Sequence, residues 1–126
     1  MKKIVLYALA LSVLLFPSCV FFEMSEITEM EVTTPDYSSV EDGTYSGSYD
    51  ASMVKVSLKV GLADSRIRNI DILSHDCGQG RPAEAITESV IREQSLEVDT
   101  VSGATASSKA ILMAIRNALL SANTAE

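Results

Sequence analysis

The chain has no tryptophan, one histidine, two cysteines and only 6% aromatic residues among its 126. So few rings do not support an extensive stacking pocket. A single histidine, His75, leaves no convincing acid/base pair for a stand-alone enzyme. Basic residues are scarce as well: 10 Lys and Arg face 17 Asp and Glu, giving a formal charge of -7 and a pI near 4.6. With no basic cluster, nucleic-acid binding is not expected. There is no internal repeat, and the length excludes a multidomain enzyme or a polytopic membrane protein. One small module remains.

Apolar residues are unevenly spread. Lys2 and Lys3 precede an apolar run from Ile4 to Phe16, then Pro17, Ser18 and Cys19, the order of an export signal. As a helix the run spans roughly 20 Å, short of the ~30 Å hydrocarbon core. The stretch Leu15-Phe16-Pro17-Ser18-Cys19 resembles a bacterial lipobox, in which the cysteine is lipidated after cleavage. Phe16 departs from the aliphatic residue usual there. The alternative is an uncleaved anchor, since Val20, Phe21 and Phe22 extend the stretch to about nineteen residues. Either reading puts the folded part outside the cytoplasm, at the membrane of a bacterial envelope. Loss of residues 1–18 removes Lys2 and Lys3 and takes the formal charge from -7 to -9.

With lipid on Cys19, Cys77 is the lone thiol and no intramolecular disulfide forms. Cys77 reads as a redox-active thiol or, more commonly for a cysteine in a glycine-rich loop, as incidental. Residues 19–41 then comprise the lipidated cysteine and an acidic tether. Glu23, Glu26, Glu29, Glu31, Asp36 and Glu41 occur there with no basic partner, so the stretch repels itself and buries little. A short amphipathic helix at Ile27 and Met30 is the alternative, but the periodicity does not continue.

Residues 42–122 carry regular signals, and residues 123–126 form a tail. Thr44 to Tyr49 predicts a strand with Tyr45 and Tyr49 on one face. Val54, Val56, Leu58 and Val60 alternate with Lys55, Ser57 and Lys59, the pattern of a strand with one wet face. Gly61 to Ser65 predicts a turn and Ile67 to Leu73 a third strand. Beyond the loop His75 to Gly80, Pro82 suits a first helical turn, and Ala83, Ile86, Val90 and Ile91 form an apolar stripe to about Gln94. Leu96 and Val98 suggest a short strand. After Gly103, residues Ala110, Ile111, Ala114, Ile115, Ala118 and Leu119 repeat the helical spacing. The expected fold is α+β: a small antiparallel sheet with two amphipathic helices packed on one face, about 80 residues in all.

Asp99-Thr100-Val101-Ser102-Gly103-Ala104-Thr105 stands just before the second helix. Structurally, Ser102 or Thr105 is an N-cap, Asp99 favours the positive helix end and Gly103 allows a tight entry. Chemically, the same helix entrance offers backbone N–H groups and hydroxyls to a phosphate. These residues alone leave both readings open.

Several motifs in order carry a resemblance. Asp42-Gly43-Thr44-Tyr45 with Gly47, then His75 with Gly78 and Gly80, Ala83-Glu84-Ala85-Ile86, Gln94-Ser95-Leu96, and Val98-Asp99 with Ser102-Gly103-Ala104-Thr105 are found in that order. Together they resemble an FMN-binding domain, the module of the flavin subunits of sodium-pumping NADH:quinone oxidoreductases and of extracytoplasmic flavoproteins. The resemblance covers about residues 42–122.

It implies that a flavin transferase takes FMN from FAD and joins its phosphate to the hydroxyl of Thr105. The result is a phosphodiester, a phosphoprotein in that sense. Asp99, Ser102, Gly103 and Ala104 complete the signal. Asp99 orients the hydroxyl or assists the transferase's metal, although a carboxylate also repels phosphate. Ser107 and Ser108 offer competing hydroxyls one turn away. The resemblance also implies that His75, Gly78 and Gly80 border the flavin or its phosphate; the alternative for His75 is a partly exposed loop residue that orders a turn. Tyr45 and Tyr49 read as flavin contacts or, more commonly, as core. The expected function is a lipid-anchored electron carrier, with an unidentified redox protein as partner and no metal of its own. Its rivals are a non-redox envelope lipoprotein that binds a ligand or protein on the same scaffold, and a flavin reductase.

Overall fold

The computed structural model describes residues 26–51, 53–76 and 81–124. Residues 1–18, read above as an export signal, and Cys19, Cys77, Gly78 and Gly80 lie outside the described residues. Three strands, β1 (Gly43–Asp50), β2 (Lys55–Ala63) and β3 (Arg66–Asp76), form an antiparallel sheet in the order β1-β2-β3. A 3-10 helix (Arg81–Ala85) and two α-helices, α1 (Ile86–Glu93) and α2 (Thr105–Asn123), complete the α+β fold predicted from the sequence.

Strand β2 supplies the inner face. Val56, Leu58, Val60 and Leu62 are buried, while the alternate Lys55 and Lys59 are exposed, as period two requires. Each fully buried Leu or Ile contributes about 1.5–3 kcal/mol of transfer free energy. The expected turn at Gly61 to Ser65 is shorter in the structure: β2 runs on to Ala63, and only Asp64 and Ser65 turn, both left-handed at φ 54° and 57°. Two such residues match the twist of a tight hairpin. Gly61 stays in the strand opposite Asn69, whose side chain occupies the space that a Cβ on Gly61 would need.

The third strand departs most from expectation, extending past Leu73 to Asp76. Its pairing with β2 shifts between Ser57 and Leu58, where Leu58 faces Ile72 and Ser57 faces Ser74, leaving Leu73 as an extra, 58% exposed residue. One inserted residue reverses the alternation of everything after it. His75 therefore stands opposite buried Val56, on the inner face.

Helix α2 seals that face. Ala110, Ile111, Ala114, Ile115, Ala118 and Leu119 are all 0% exposed. It approaches β1 at Gly47, where a Cβ would stand 2.7 Å from that of Ala118. Asn117 Nδ2 donates to the Ser48 carbonyl at 2.8 Å and Ser121 Oγ to that of Ser46 at 3.3 Å. Rising helix numbers meet falling strand numbers, so α2 runs antiparallel to β1. Helix α1 buries Ile86 and Val90 and ends at Gln94, which is left-handed at φ 54°. The Gln94 amide then acts as a neighbour to β3, accepting from Ile67 N–H at 2.8 Å and donating to the Ile67 carbonyl at 2.9 Å.

Two local expectations need correction. Leu96 and Val98 form no strand; the Leu96 N–H goes to Thr34 Oγ1 at 2.9 Å, and Leu96 itself is 1% exposed. The tether reading fails for residues 26–40, which dock as a strap. Residues 26–29 make one helical turn, and Ile27 and Val32 are buried. Lys109 Nζ donates to the Met30 carbonyl at 2.7 Å, Tyr37 Oη to that of Gln94 at 3.0 Å and Asn123 Nδ2 to that of Asp36 at 2.8 Å. Acidic composition did not prevent docking, because the acidic residues at 26, 29, 31 and 36 face solvent while the apolar residues between them turn inward.

Candidate functional site

The antiparallel run of α2 decides which end of the domain it starts from. From Asn117 back to Thr105 the helix covers about 18 Å, whereas from Ser48 to the end of β1 at Asp50 is only about 7 Å. The first turns of α2 thus extend roughly 11 Å past the strand. The β1–β2 connection, the end of β3 with His75 and the 3-10 helix share this end, and α2 packs against the 3-10 helix. Thr105 and His75, far apart in sequence, are brought to the same end of the domain.

The entrance to α2 is built around Gly103, left-handed at φ 78°, a conformation that glycine adopts without steric cost. No atom lies within 4 Å of where its Cβ would be, so the space beside it is open. Ala104 N–H bonds the Val101 carbonyl at 3.0 Å, closing the turn. The N-cap is Ala104, with no side-chain cap. This corrects the reading of Ser102 or Thr105 as cap: Ser102 is exposed on the turn, and Thr105 is already the first helical residue. The first-turn N–H groups are left without a side-chain acceptor, and their dipoles favour an anion there.

The three hydroxyls of the first turn differ in access. Thr105 is half-buried, Ser107 is 4% exposed and Ser108 0%. Ser108 Oγ accepts from Val101 N–H at 3.0 Å and donates to the Ala104 carbonyl at 2.8 Å. Of the three, Thr105 alone offers solvent access to its residue at the helix mouth.

Asp99 is exposed and lines a shallow cleft of about 310 Å³ with Ser89, Arg92, Glu93, Glu97 and Val98. It sits against the C-terminal half of α1, among carboxylates with Arg92 as the cation. Ala104 is buried, 8% exposed, and holds the loop to the core.

His75 belongs to β3 and not to a loop, and its side chain is 1% exposed. The reading as a partly exposed turn residue is overturned by the bulge at Leu73, which directs the imidazole inward. Nδ1 lies 3.1 Å from Glu84 Oε1 on the 3-10 helix. Nε2 is buried and has no hydrogen-bond partner among the described residues. A buried polar atom without a partner costs free energy unless something else supplies one. Tyr45 and Tyr49 pack against the core, and Tyr45 Oη donates to the Glu41 carbonyl at 2.8 Å. Burial raises the Tyr37 phenol above its ordinary pKa, opposed by the nearby Arg66 charge.

Ser108 and Glu84 acquire roles that sequence reasoning missed. A serine four residues after Ala104 is the spacing at which a helical hydroxyl can bond back to a carbonyl, and that was the available signal. Nothing in the sequence paired Glu84 with His75. Among the described residues no group of three or more His, Cys, Asp or Glu could hold a metal ion. Nor is any described helix long and apolar enough to cross a membrane.

An uncapped helix start with open space at Gly103 suits a phosphate, and a buried imidazole nitrogen without a partner among the described residues stands at the same end of the domain. Comparison with known proteins agrees: the sequence matches the FMN-binding domain family over residues 20–120, which includes the docked strap. A protein of Treponema pallidum (strain Nichols), described only as an uncharacterized protein, is 31% identical over 83 residues. That alignment covers 64% of this chain and 23% of the relative. No solved structure matches.

Proposed function

The chain belongs to the FMN-binding domain family, and from that premise we propose that it is a lipid-anchored, extracytoplasmic electron carrier with FMN esterified to Thr105. The observation that carries the reading is the contrast among the hydroxyls of α2: Thr105 is accessible at an uncapped helix start, while Ser107 and Ser108 are buried.

Thr105 Oγ1 forms a bond to the phosphorus of the FMN half of FAD as the bond from that phosphorus to the bridging oxygen breaks. AMP leaves with the bridging oxygen, and the threonine proton passes to solvent. No electron changes hands in this step, which a flavin transferase catalyses. The uncapped N–H groups favour the remaining phosphate charge by about 0.3–1 kcal/mol. Gly103 lets the nucleotide approach the backbone, and His75 Nε2 offers a buried polar contact on the same end of the domain. Asp99, exposed and two residues before Val101, is available to the transferase and its metal.

Once bound, the flavin supplies one- and two-electron transfer and the protein fixes its place. A covalent link keeps it at high local concentration outside the cell, where a dissociated cofactor would be diluted away. Lipid on Cys19 keeps the carrier at the membrane near its redox partner.

Coexpression with a flavin transferase tests the reading. Flavin fluorescence should survive denaturing electrophoresis, and the adduct should map to Thr105 in the peptide between Arg92 and Lys109. An adduct on either serine would overturn the assignment. Absence of covalent flavin, with the transferase active on a control protein, would favour a non-redox envelope lipoprotein.

A further inference from the structure

We propose, resting on the assignment of Thr105 as the flavinylated residue, that Ser108 is a positioning residue for that modification, clasping the 101–104 loop in the shape that presents Thr105. Its hydroxyl bridges Val101 N–H at 3.0 Å and the Ala104 carbonyl at 2.8 Å, groups on either side of Gly103. Both bonds are made by a side chain that is 0% exposed, and the one to the Ala104 carbonyl is fully buried, so competition from water is weak. The tip needs such a clasp. Glycine at φ 78° has other conformations open to it, and no atom stands within 4 Å of its missing Cβ to hold it there.

The same two bonds exclude Ser108 as the acceptor. Its proton points to Ala104 and its oxygen faces Val101, leaving no approach for phosphorus. Attack therefore comes from Thr105 Oγ1, with AMP leaving from FAD and the hydroxyl proton released, while Ser108 stays unchanged. Without the clasp, the loop samples other shapes and the fraction competent for the transferase falls. Apparent affinity falls by the same fraction. The rate at saturation is spared.

The test is flavinylation kinetics on the whole apo protein, with FAD and the transferase, comparing the parent with Ser108→Ala and Ser107→Ala. Both variants remove one hydroxyl from a buried residue of the same helical turn, but only Ser108 holds the loop. Ser108→Ala is expected to raise the apparent KM for the protein by about tenfold or more, with kcat within about twofold, and Ser107→Ala to match the parent within about twofold. Amide exchange gives a readout independent of flavin: Val101 N–H should be protected in the parent and in Ser107→Ala, and exposed in Ser108→Ala. If Ser108→Ala does not fold, Ser108→Cys fills the space with a poorer hydrogen-bonding group and carries the same comparison. Equal kinetics for the two serine variants, or an equally protected Val101 amide, would overturn the role of Ser108 and leave Thr105 as acceptor. A parent chain that takes no flavin at all would overturn both.

Discussion

His75 Nδ1 lies 3.1 Å from Glu84 Oε1, and through that contact the end of β3 is tied to the 3-10 helix, which packs against α2. The other ring nitrogen is buried without a partner among the described residues. His75→Leu keeps the volume and removes that orphan atom, so the apo protein should lose no more than about 1 kcal/mol, measured by urea unfolding. On the proposal that His75 Nε2 meets the bound flavin, the flavin-loaded variant should show a shifted flavin absorption band. An unchanged spectrum would dissociate His75 from the flavin.

Gly47→Ala should be severely destabilising. The new methyl would stand 2.7 Å from Ala118 Cβ and closer still to the α2 backbone, and a helix carbonyl cannot swing aside as a flexible side chain can. Overpacking of this kind costs about 1–3 kcal/mol. A denaturant midpoint equal to that of the parent would mean that α2 sits farther from β1.

Gly103→Ala costs stability for a different reason. Space is open there, so the penalty is the left-handed backbone alone, about 1–2 kcal/mol. Gly103→Asn should cost less, since asparagine tolerates that region. Thermal melts of the two variants give the order, and asparagine no better than alanine would count against the backbone explanation.

The strap predicts a stability difference between chains that start at residue 20 and at residue 42. Val32 alone buries enough apolar surface for about 1.5–3 kcal/mol, and the hydrogen bonds of Thr34, Tyr37 and Lys109 are lost with it. Urea unfolding should show the shorter chain distinctly weaker. Equal midpoints would restore the segment to a free tether.

Tyr37 makes stability fall at high pH. Its phenol titrates above its ordinary range in the folded protein because burial disfavours the phenolate. The folded state therefore holds its proton more tightly than the unfolded state, a contribution complete below the unfolded pKa and lost as pH rises through the folded one. Tyr37→Phe should flatten the alkaline limb of a stability profile above about pH 10. A limb as steep as the parent's would assign the loss to other groups.

What the sequence made legible is what repeats. Val56, Leu58 and Val60 at period two, and Ala110 to Leu119 at helical spacing, identify their elements because every member is buried against the same core. The helix entrance was legible through Gly103. The orientation of His75 was not, since it depends on one extra residue at Leu73, and a bulge leaves no periodic trace. The strap leaves no pattern in the sequence because Val32 and Tyr37 are anchored singly, by partners about sixty residues away or in the core. By sequence Ser108 is a rival acceptor; only its burial and its two bonds distinguish a clasp from a nucleophile.

Docking of the strap also sets a leash length. From Cys19 to Ile27 the chain can reach at most about 29 Å, against about 80 Å had the whole stretch to Glu41 been free. Ile27 and Met30 line a cleft with Tyr49 and Ala51, and Lys109 holds Met30, all at the end where α2 begins. A lipid on Cys19 would then hold the domain on a short lead with Thr105 toward the bilayer. If the domain carries electrons as proposed, it would serve acceptors at the membrane surface, and those deep in the surrounding space would lie beyond its reach.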